Sequence, residues 1–191
     1  MHGLINRAVE CFVRDTYGDA KWLSAARRAG LQTPQFEAML HYDDEITSVV
    51  VDSVAAELDL PVPTVLEDIG TYLVSSKSEQ APRRLLRFSG VTFLEFLHSL
   101  DDLRDRARLA LEDLDLPELK LQDHGGHCYS LECRHDYTGF SYVFMGVLRT
   151  MADDYGALVF LETTNNRDIN IQLFQEEFSA GRRFELGAKP A

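Results

Sequence analysis

Cysteine and histidine side chains are concentrated between residues 124 and 135 of this 191-residue chain. Cys133 and His135 stand two residues apart in a stretch that predicts a β-strand, so their side chains should share one face of that strand. Thiolate and imidazole groups are both good ligands for iron or zinc. His124, His127 and Cys128 lie nearby, but these residues lack the spacing of an established zinc site. The sequence therefore offers Cys133 or His135 only as a fallback metal ligand.

Arg104 is the second residue suited to binding a ligand. It lies in a stretch, 93–111, whose apolar residues recur every three or four positions, as in an amphipathic helix. Arg104 follows Leu103 at the edge of the apolar stripe, from where its side chain can reach an interior pocket and could neutralise an anion there. We favour the alternative, an exposed ion pair on the helix surface, for instance with Asp101. Either way Arg104 cannot ligate a metal, because a guanidinium has no free lone pair.

The elements that position these residues change in type along the chain. Apolar spacing and capping residues predict helices in the N-terminal part, and the Gly125-Gly126 pair predicts a hairpin later. Helices followed by an antiparallel sheet indicate an α+β fold. We expect one domain, with a helical portion over about 1–64 and a helix-plus-sheet portion over about 65–191. The predicted helices are 4–17, 20–29 capped by Asp19, 34–40, 43–58, 63–76, 93–111 and 140–155; the predicted strands are 119–123, 127–137, 157–162 and 168–175, and 75–82 is a predicted loop.

Composition excludes several classes of function. The chain has 31 acidic and 19 basic residues and a net charge of −12, so its surface repels phosphate backbones and anionic lipid. We therefore expect no nucleic-acid or membrane partner. No apolar run approaches the roughly 20 residues of a membrane span, there is no signal segment, and the three cysteines favour a reducing compartment, so a cytoplasmic protein is expected. No nucleophile elbow, phosphate loop or catalytic triad spacing occurs, so we do not expect an enzyme.

The helix that carries Arg104 resembles a helix of the heme-nitric oxide/oxygen-binding (H-NOX) family. The family helix typically reads Phe-Leu-x-x-Leu-Asp-x-Leu-His, and this chain reads Leu100-Asp101-Asp102-Leu103-Arg104 at its end. In the family that His is the iron ligand, and Arg104 takes its position here. Other short matches follow in the family's order: Met1-His2-Gly3-Leu4-Ile5, Tyr17-Gly18, Trp22, Ala29-Gly30-Leu31, Tyr42-Asp43-Asp44-Glu45 and Gly70-Thr71-Tyr72-Leu73. The resemblance implies the H-NOX fold, with an N-terminal helical portion packed on an antiparallel sheet beneath the 93–111 helix.

A second H-NOX signature, Tyr-x-Ser-x-Arg on a strand, holds the heme propionates in the family. Aligned without a gap on Gly139-Phe140, its three positions become Cys133, His135 and Tyr137. A shifted alignment gives Ser130, Glu132 and Arg134 and keeps only the Arg. We prefer the ungapped alignment, because it places Leu131, Cys133, His135 and Tyr137 on one predicted strand face. In either alignment the propionate clamp is incomplete.

The family's distal pocket corresponds by resemblance to Ile5, Leu73, Val74 and Tyr142, with Val143 and Met145 beside them; the alternative for these residues is ordinary core. The resemblance implies a stand-alone, bacterial-type sensor that binds heme, detects nitric oxide or oxygen, and signals to a histidine kinase or a cyclic-dinucleotide enzyme. With Arg104 at the ligand position, heme is expected to bind weakly, in a non-standard way or not at all. Two alternatives stay open. One is a heme-free module for another apolar anion, paired with Arg104, and the other is a structural interaction protein with a closed pocket.

Overall fold

The N-terminal part of the protein is helical in a computed structural model, which describes residues 1–76, 86, 90–163 and 165–176. The first helix ends at Tyr17 and is followed by Gly18, whose φ of 91° is unfavourable for residues with a side chain. The third helix begins with two acidic residues, which the positive end of the helix dipole favours. These four helices are α1 (Gly3–Tyr17), α2 (Asp19–Arg28), α3 (Asp44–Leu58) and α4 (Val62–Ser75).

In the C-terminal part, the residues that the structure describes form three α-helical segments of known bounds and a four-stranded antiparallel sheet. The helical segments are α5 (Phe93–Ser99), α6 (Leu103–Ala110) and α7 (Phe140–Tyr155), and the strands are β1 (Glu118–Gly125), β2 (Cys128–Arg134), β3 (Leu158–Thr163) and β4 (Asp168–Gln175). The strand order is β1-β2-β4-β3. The two residues of the turn between β1 and β2 are Gly126 and His127, both at positive φ as a tight hairpin turn requires, so the predicted Gly125-Gly126 turn is displaced by one residue. The predicted α+β class and the hairpin are therefore confirmed.

The predicted continuous helix over 93–111 was wrong in one respect. A 3₁₀ turn, Leu100–Asp102, separates α5 from α6. Two side-chain hydrogen bonds surround this turn: the Asp101 carboxylate accepts from the Leu121 amide at 2.8 Å, and the Arg106 guanidinium donates to the Ser99 carbonyl at 2.8 Å. The first joins the turn to β1, and the second satisfies a carbonyl at the end of α5.

Three other local predictions were wrong. Asp19 is the first residue of α2 and makes an ion pair with Arg14, so it does not cap the helix. Residues 34–40 form bends and a turn, because their backbone is held by bonds to other segments, such as the Pro34 carbonyl to the Trp22 indole at 2.8 Å. Strand β2 ends at Arg134, so His135 and Tyr137 lie beyond it. The predicted loop 75–82 falls mostly outside the described residues.

The buried apolar residues form two clusters. The N-terminal cluster is built from α1 to α4 around the fully buried Trp22, Val54 and Val65. The C-terminal cluster joins α5, the 3₁₀ turn and α6 to the sheet and α7, with Leu100, Leu131 and others at its centre. Helix α4 contributes to both clusters, since Ile69 belongs to the first and Val74 to the second. The division of the chain near residue 64 stays a prediction.

Glycines allow α4 and α7 to cross at very short range. A Cβ atom added at Gly146 would overlap the Glu67 carbonyl oxygen, and one added at Gly70 would overlap the Val143 carbonyl oxygen. Each helix therefore meets the backbone of the other directly, and no other residue type fits at these points. Arg149 and Glu67 make an ion pair across the same crossing.

We predict that Gly146→Ala destabilises the protein, although alanine is the better helix former by about 1 kcal/mol. The added methyl group must push α4 away from α7, which should lower the free energy of unfolding by roughly 1–3 kcal/mol. Urea denaturation followed by circular dichroism measures the change. Asp153→Ala, an exposed substitution on the same helix, is the control and should change stability by less than about 0.5 kcal/mol. Equal stability of Gly146→Ala and the parent protein would contradict the close crossing.

Candidate ligand-binding site

A cavity of about 410 Å³ lies between the N-terminal helices and the α6–α7 region. Helix α1 contributes Ile5, α4 contributes Leu73, α6 contributes Leu103 and α7 contributes Phe144 to its wall. Nearly all of its lining residues are apolar. Its volume is within the range of about 300–1,000 Å³ that is typical of small-molecule sites.

Two of the four residues expected in a distal pocket reach this cavity. Ile5 and Leu73 line it, as does Val143, whereas Val74 and Tyr142 do not. Successive helix residues point about 100° apart, so Val74 turns from Leu73 into the C-terminal cluster. For the same reason Tyr142 turns away from Val143, and its hydroxyl donates to Asn166 in the loop before β4. Met145 likewise belongs to the C-terminal cluster and does not line the cavity.

Arg104 does not line the cavity, so it is not the pocket residue that its position allowed; it forms an ion pair, as the favoured alternative predicted, but with Asp115 and not with Asp101. Its Nη2 atom donates to the Asp115 Oδ1 atom at 2.6 Å, and the Arg104 side chain is 30% exposed. Its Nε atom is buried without a hydrogen-bond partner among the residues that the structure describes. The helix position explains this direction, because Leu103 and Ala107 take the cavity face of α6 and leave Arg104 on the flank.

His135 approaches the same carboxylate from the loop after β2. Its Nε2 atom lies 3.3 Å from the Asp115 Oδ2 atom, and its Nδ1 atom accepts a hydrogen bond from the Tyr137 amide at 2.9 Å. Because Nδ1 accepts, Nε2 carries the proton in neutral His135 and donates to Asp115. The ring also packs edge-on against Phe140 with a centroid distance of 4.8 Å. Both nitrogens are therefore already engaged.

Asp115 thus connects the two positions that the sequence singled out separately. Burial alone would raise the pKa of Asp115, but the hydrogen bond from Arg104 and the charges of His135 and Arg104 lower that pKa below its usual value. Arg108 lies 3.7 Å from the same carboxylate. We call Arg104, Asp115 and His135 the Asp115 cluster.

Cys133 and Tyr137 have different surroundings. Cys133 is 4% exposed within the C-terminal cluster, and burial raises the pKa of its thiol to about 12, so it stays protonated. Tyr137 lines the cavity, and burial raises the pKa of its phenol to about 12. In the shifted alignment Glu132 and Arg134 pair with each other at 2.8 Å and neither lines the cavity. Tyr137 is therefore the only clamp candidate from either alignment that meets the cavity.

The fallback metal site has no complete ligand set. Among residues 1–76, 86, 90–163 and 165–176, no group of three or more His, Cys, Asp or Glu side chains is arranged to hold a metal ion. His124 instead bonds to Ser130 at 2.8 Å on the sheet surface. The neutral thiol of Cys133 and the engaged ring of His135 are poor starting points for ligation.

Sequence reasoning missed two residues near the site. Asp115 follows the end of α6, and nothing in helical periodicity indicates that the chain turns back toward Arg104. Arg7 lines the cavity from α1. Helical spacing in the sequence could have indicated this position. Arg7 stands three residues after Leu4, which also lines the cavity, so the two residues share one face of α1.

The family model described as "Haem-NO-binding" (HNOB) matches residues 2–162. This chain belongs to the Haem-NO-binding family. Its similarity to curated relatives is lower but extensive: it is 21% identical over 154 residues to soluble guanylate cyclase gcy-31 of Caenorhabditis elegans, which covers 81% of this chain and 22% of the relative. Soluble guanylate cyclase 89Db of Drosophila melanogaster is 19% identical over 158 residues, which is 83% of this chain and 24% of the relative. The chain thus spans less than a quarter of the length of these relatives.

Solved H-NOX structures share the fold. A mutant of the H-NOX protein from S. oneidensis, in the Fe(II) ligation state, matches with a TM-score of 0.77 and 17% identity over 93% of this chain and 98% of that one. The Fe(II) unliganded H-NOX protein from K. algicida matches with a TM-score of 0.74 and 14% identity, over 93% and 97% of the two chains. The predicted H-NOX fold is confirmed. No helix of the described residues is both long enough and apolar enough to cross a membrane.

Heme is the group that the family name implies, so its fit can be tested against these residues. The guanidinium of Arg104 has no lone pair and is held by Asp115. Cys133 is a buried thiol, and both His135 nitrogens have partners. These residues, as arranged here, do not fit a heme whose iron is held by a histidine of α6.

We predict that Asp115→Asn weakens the protein modestly and in a pH-dependent way. Because the pKa of Asp115 is lowered in the folded protein, its contribution to stability is present above the unfolded pKa of about 3.9 and is lost as the pH falls through the lower folded value. The carboxylate is 53% exposed, so the loss at pH 7 should be below about 1 kcal/mol.

Thermal unfolding at several pH values measures this effect, with the exposed neighbouring substitution Glu112→Gln as the control. The difference between Asp115→Asn and the parent protein should shrink as the pH is lowered toward 3. A difference that is constant with pH would show that the carboxylate charge is not involved.

Proposed function

We propose that this chain is a regulatory domain that signals to a partner protein and does not hold heme through a histidine of α6. One observation carries the proposal. The Asp115 cluster joins Arg104 to His135, and the family resemblance assigns the first to the position of the iron ligand and the second to a position of the propionate clamp. Both positions are thus engaged in contacts within the protein, while the apolar cavity beside them persists.

The partner is proposed from the family and the relatives. The H-NOX resemblance favours a histidine kinase or a cyclic-dinucleotide enzyme as the recipient of the signal. The curated relatives are named soluble guanylate cyclases, and one matched structure is described as an oxygen-binding H-NOX domain related to them. Because this chain matches less than a quarter of those cyclases, we propose that it has no catalytic activity itself and acts on an enzyme domain, in the cytoplasm.

The arrangement of the two clusters supports a physical route for the signal. Leu66 and Val143 belong to the N-terminal cluster, and Leu103 and Phe144 belong to the C-terminal one, yet all four line the cavity. A ligand there touches both clusters. It shifts their relative packing to the extent that it binds one arrangement more tightly than another.

A heme-free binding module is the second candidate, and the cavity itself favours it. An apolar space of about 410 Å³ beside a site without a histidine ligand suits an apolar molecule other than heme. In this candidate Arg104 is not the partner of a ligand carboxylate, because Asp115 already pairs with it. A purely structural interaction protein is less favoured, since its pocket would have closed over side chains.

We predict that the purified protein, titrated with hemin and reduced, does not develop the visible spectrum of a five-coordinate, histidine-ligated heme. Arg104→His should tighten heme binding at least about tenfold, since even the outer partners of metal ligands contribute 10–100-fold to affinity. The increase in Soret absorbance with hemin concentration gives both affinities.

Arg108→His is the matched control, because it adds an imidazole one turn further along α6 at a residue that the family resemblance does not align with the iron ligand. It should bind hemin no more tightly than the parent protein. Tight stoichiometric uptake with a histidine-ligated spectrum by the parent chain would refute the proposed function. Equal affinities for Arg104→His and Arg108→His would show that Arg104 does not stand at the ligand position.

A further inference from the structure

Arg7 is the only charged residue in the cavity wall, within the part of the chain that the structure describes. Its side chain is exposed, and its one hydrogen bond is a long one, 3.4 Å from Nη1 to the Phe36 carbonyl oxygen. No carboxylate among the described residues pairs with it. A guanidinium has five N–H donors in a planar fork that matches a carboxylate, so most of its binding capacity is unused.

The rest of the wall requires an apolar occupant. Beyond Arg7, the polar side chains in the lining are Thr47, whose hydroxyl donates to Asn6 at 2.7 Å, and Tyr137, whose phenol is neutral. A ligand with several polar groups in the interior would leave them without partners, which is costly. An aliphatic chain has no such groups and gains free energy with each buried methylene.

The cavity meets solvent next to Arg7. Arg7 and Ala110 are lining residues that are exposed at the surface. Their exposure gives a ligand a route from solvent into the cavity beside Arg7.

We propose that the cavity binds an elongated aliphatic carboxylate, with the chain inside the cavity and the carboxylate paired with Arg7 at its mouth. This inference rests on the proposed function, in that it requires a cavity not occupied by histidine-ligated heme. The protein's net charge of −12 disfavours a polyanionic head group. A single negative charge opposite a single arginine matches the site.

Dodecanoate, used below its critical micelle concentration, and 1-dodecanol, used below its solubility limit, test the two parts of the ligand by isothermal titration calorimetry. Dodecanoate should bind the parent protein more tightly than the alcohol. Arg7→Gln should weaken dodecanoate about fivefold, the effect of a solvent-exposed ion pair, and should leave the alcohol unchanged. Arg27→Gln, which removes an exposed arginine of α2 away from the cavity wall, should affect neither probe. An unchanged dodecanoate affinity in Arg7→Gln, or equal effects of the two arginine substitutions, would overturn the assignment of Arg7.

Filling the cavity tests the location. Ala107→Phe and Val143→Phe each place a ring in the wall from a different helix. Whichever of them keeps a parent-like circular dichroism spectrum should lose binding of both probes. Binding that survives in a folded variant, or no binding of dodecanoate by the parent protein, would overturn the inference. That failure leaves the proposed function standing, whereas histidine-ligated heme in the parent chain would refute the proposed function directly.

Discussion

The backbone-to-backbone crossing of α4 and α7 determines where everything else in this protein lies. Gly70 and Gly146 bring the two helices so close that no side chain fits between them at those points. The helices must diverge on either side of the crossing, and their larger residues Leu73 and Phe144 then border the cavity. The same two helices also carry residues of both apolar clusters. The cavity and the contact between the clusters therefore depend on a single geometric constraint.

The Asp115 cluster links the flank of α6 to the loop after β2. Its two carboxylate oxygens each hold one partner, Arg104 from α6 and His135 from the loop after β2. These are hydrogen bonds at a partly exposed carboxylate, and Arg104 Nε is left without a partner among the described residues, so the link is weak compared with a coordinate bond. The hydrogen bonds of Arg104 and His135 to Asp115 can therefore break when a neighbouring segment moves. The cluster is thus compatible with a domain that changes its packing.

The sequence was sufficient for most of the fold because its helices have strong periodicity and clear ends. Helix α7 and strand β4 were predicted with their observed bounds. The elements that were predicted wrongly depend on interactions between segments that are distant in the sequence. The break before α6 depends on Asp101 reaching β1, and the end of β2 at Arg134 depends on the return of the chain to Phe140. The direction of the Arg104 side chain could not be predicted from its position at the edge of the apolar stripe. A side chain there can turn toward the cavity or away from it, and only the location of Asp115 decides between the two. That Arg104, Cys133, His135 and Tyr137 stand at the family's heme-contact positions remains a prediction.

Replacing an iron bond by apolar burial would change what such a domain can sense. A metal–ligand bond is short and directional, so a small diatomic molecule that binds the iron can alter it. An aliphatic ligand acts differently: each methylene contributes about 0.8 kcal/mol wherever it is buried, and its influence is spread over the whole cavity wall. Residues of both apolar clusters form that wall, so a ligand in the cavity can favour one packing of α4 and α7 over another. If the cavity binds the aliphatic carboxylate that we propose, the fold of a gas sensor would serve as a ligand sensor through the packing of the same two crossing helices.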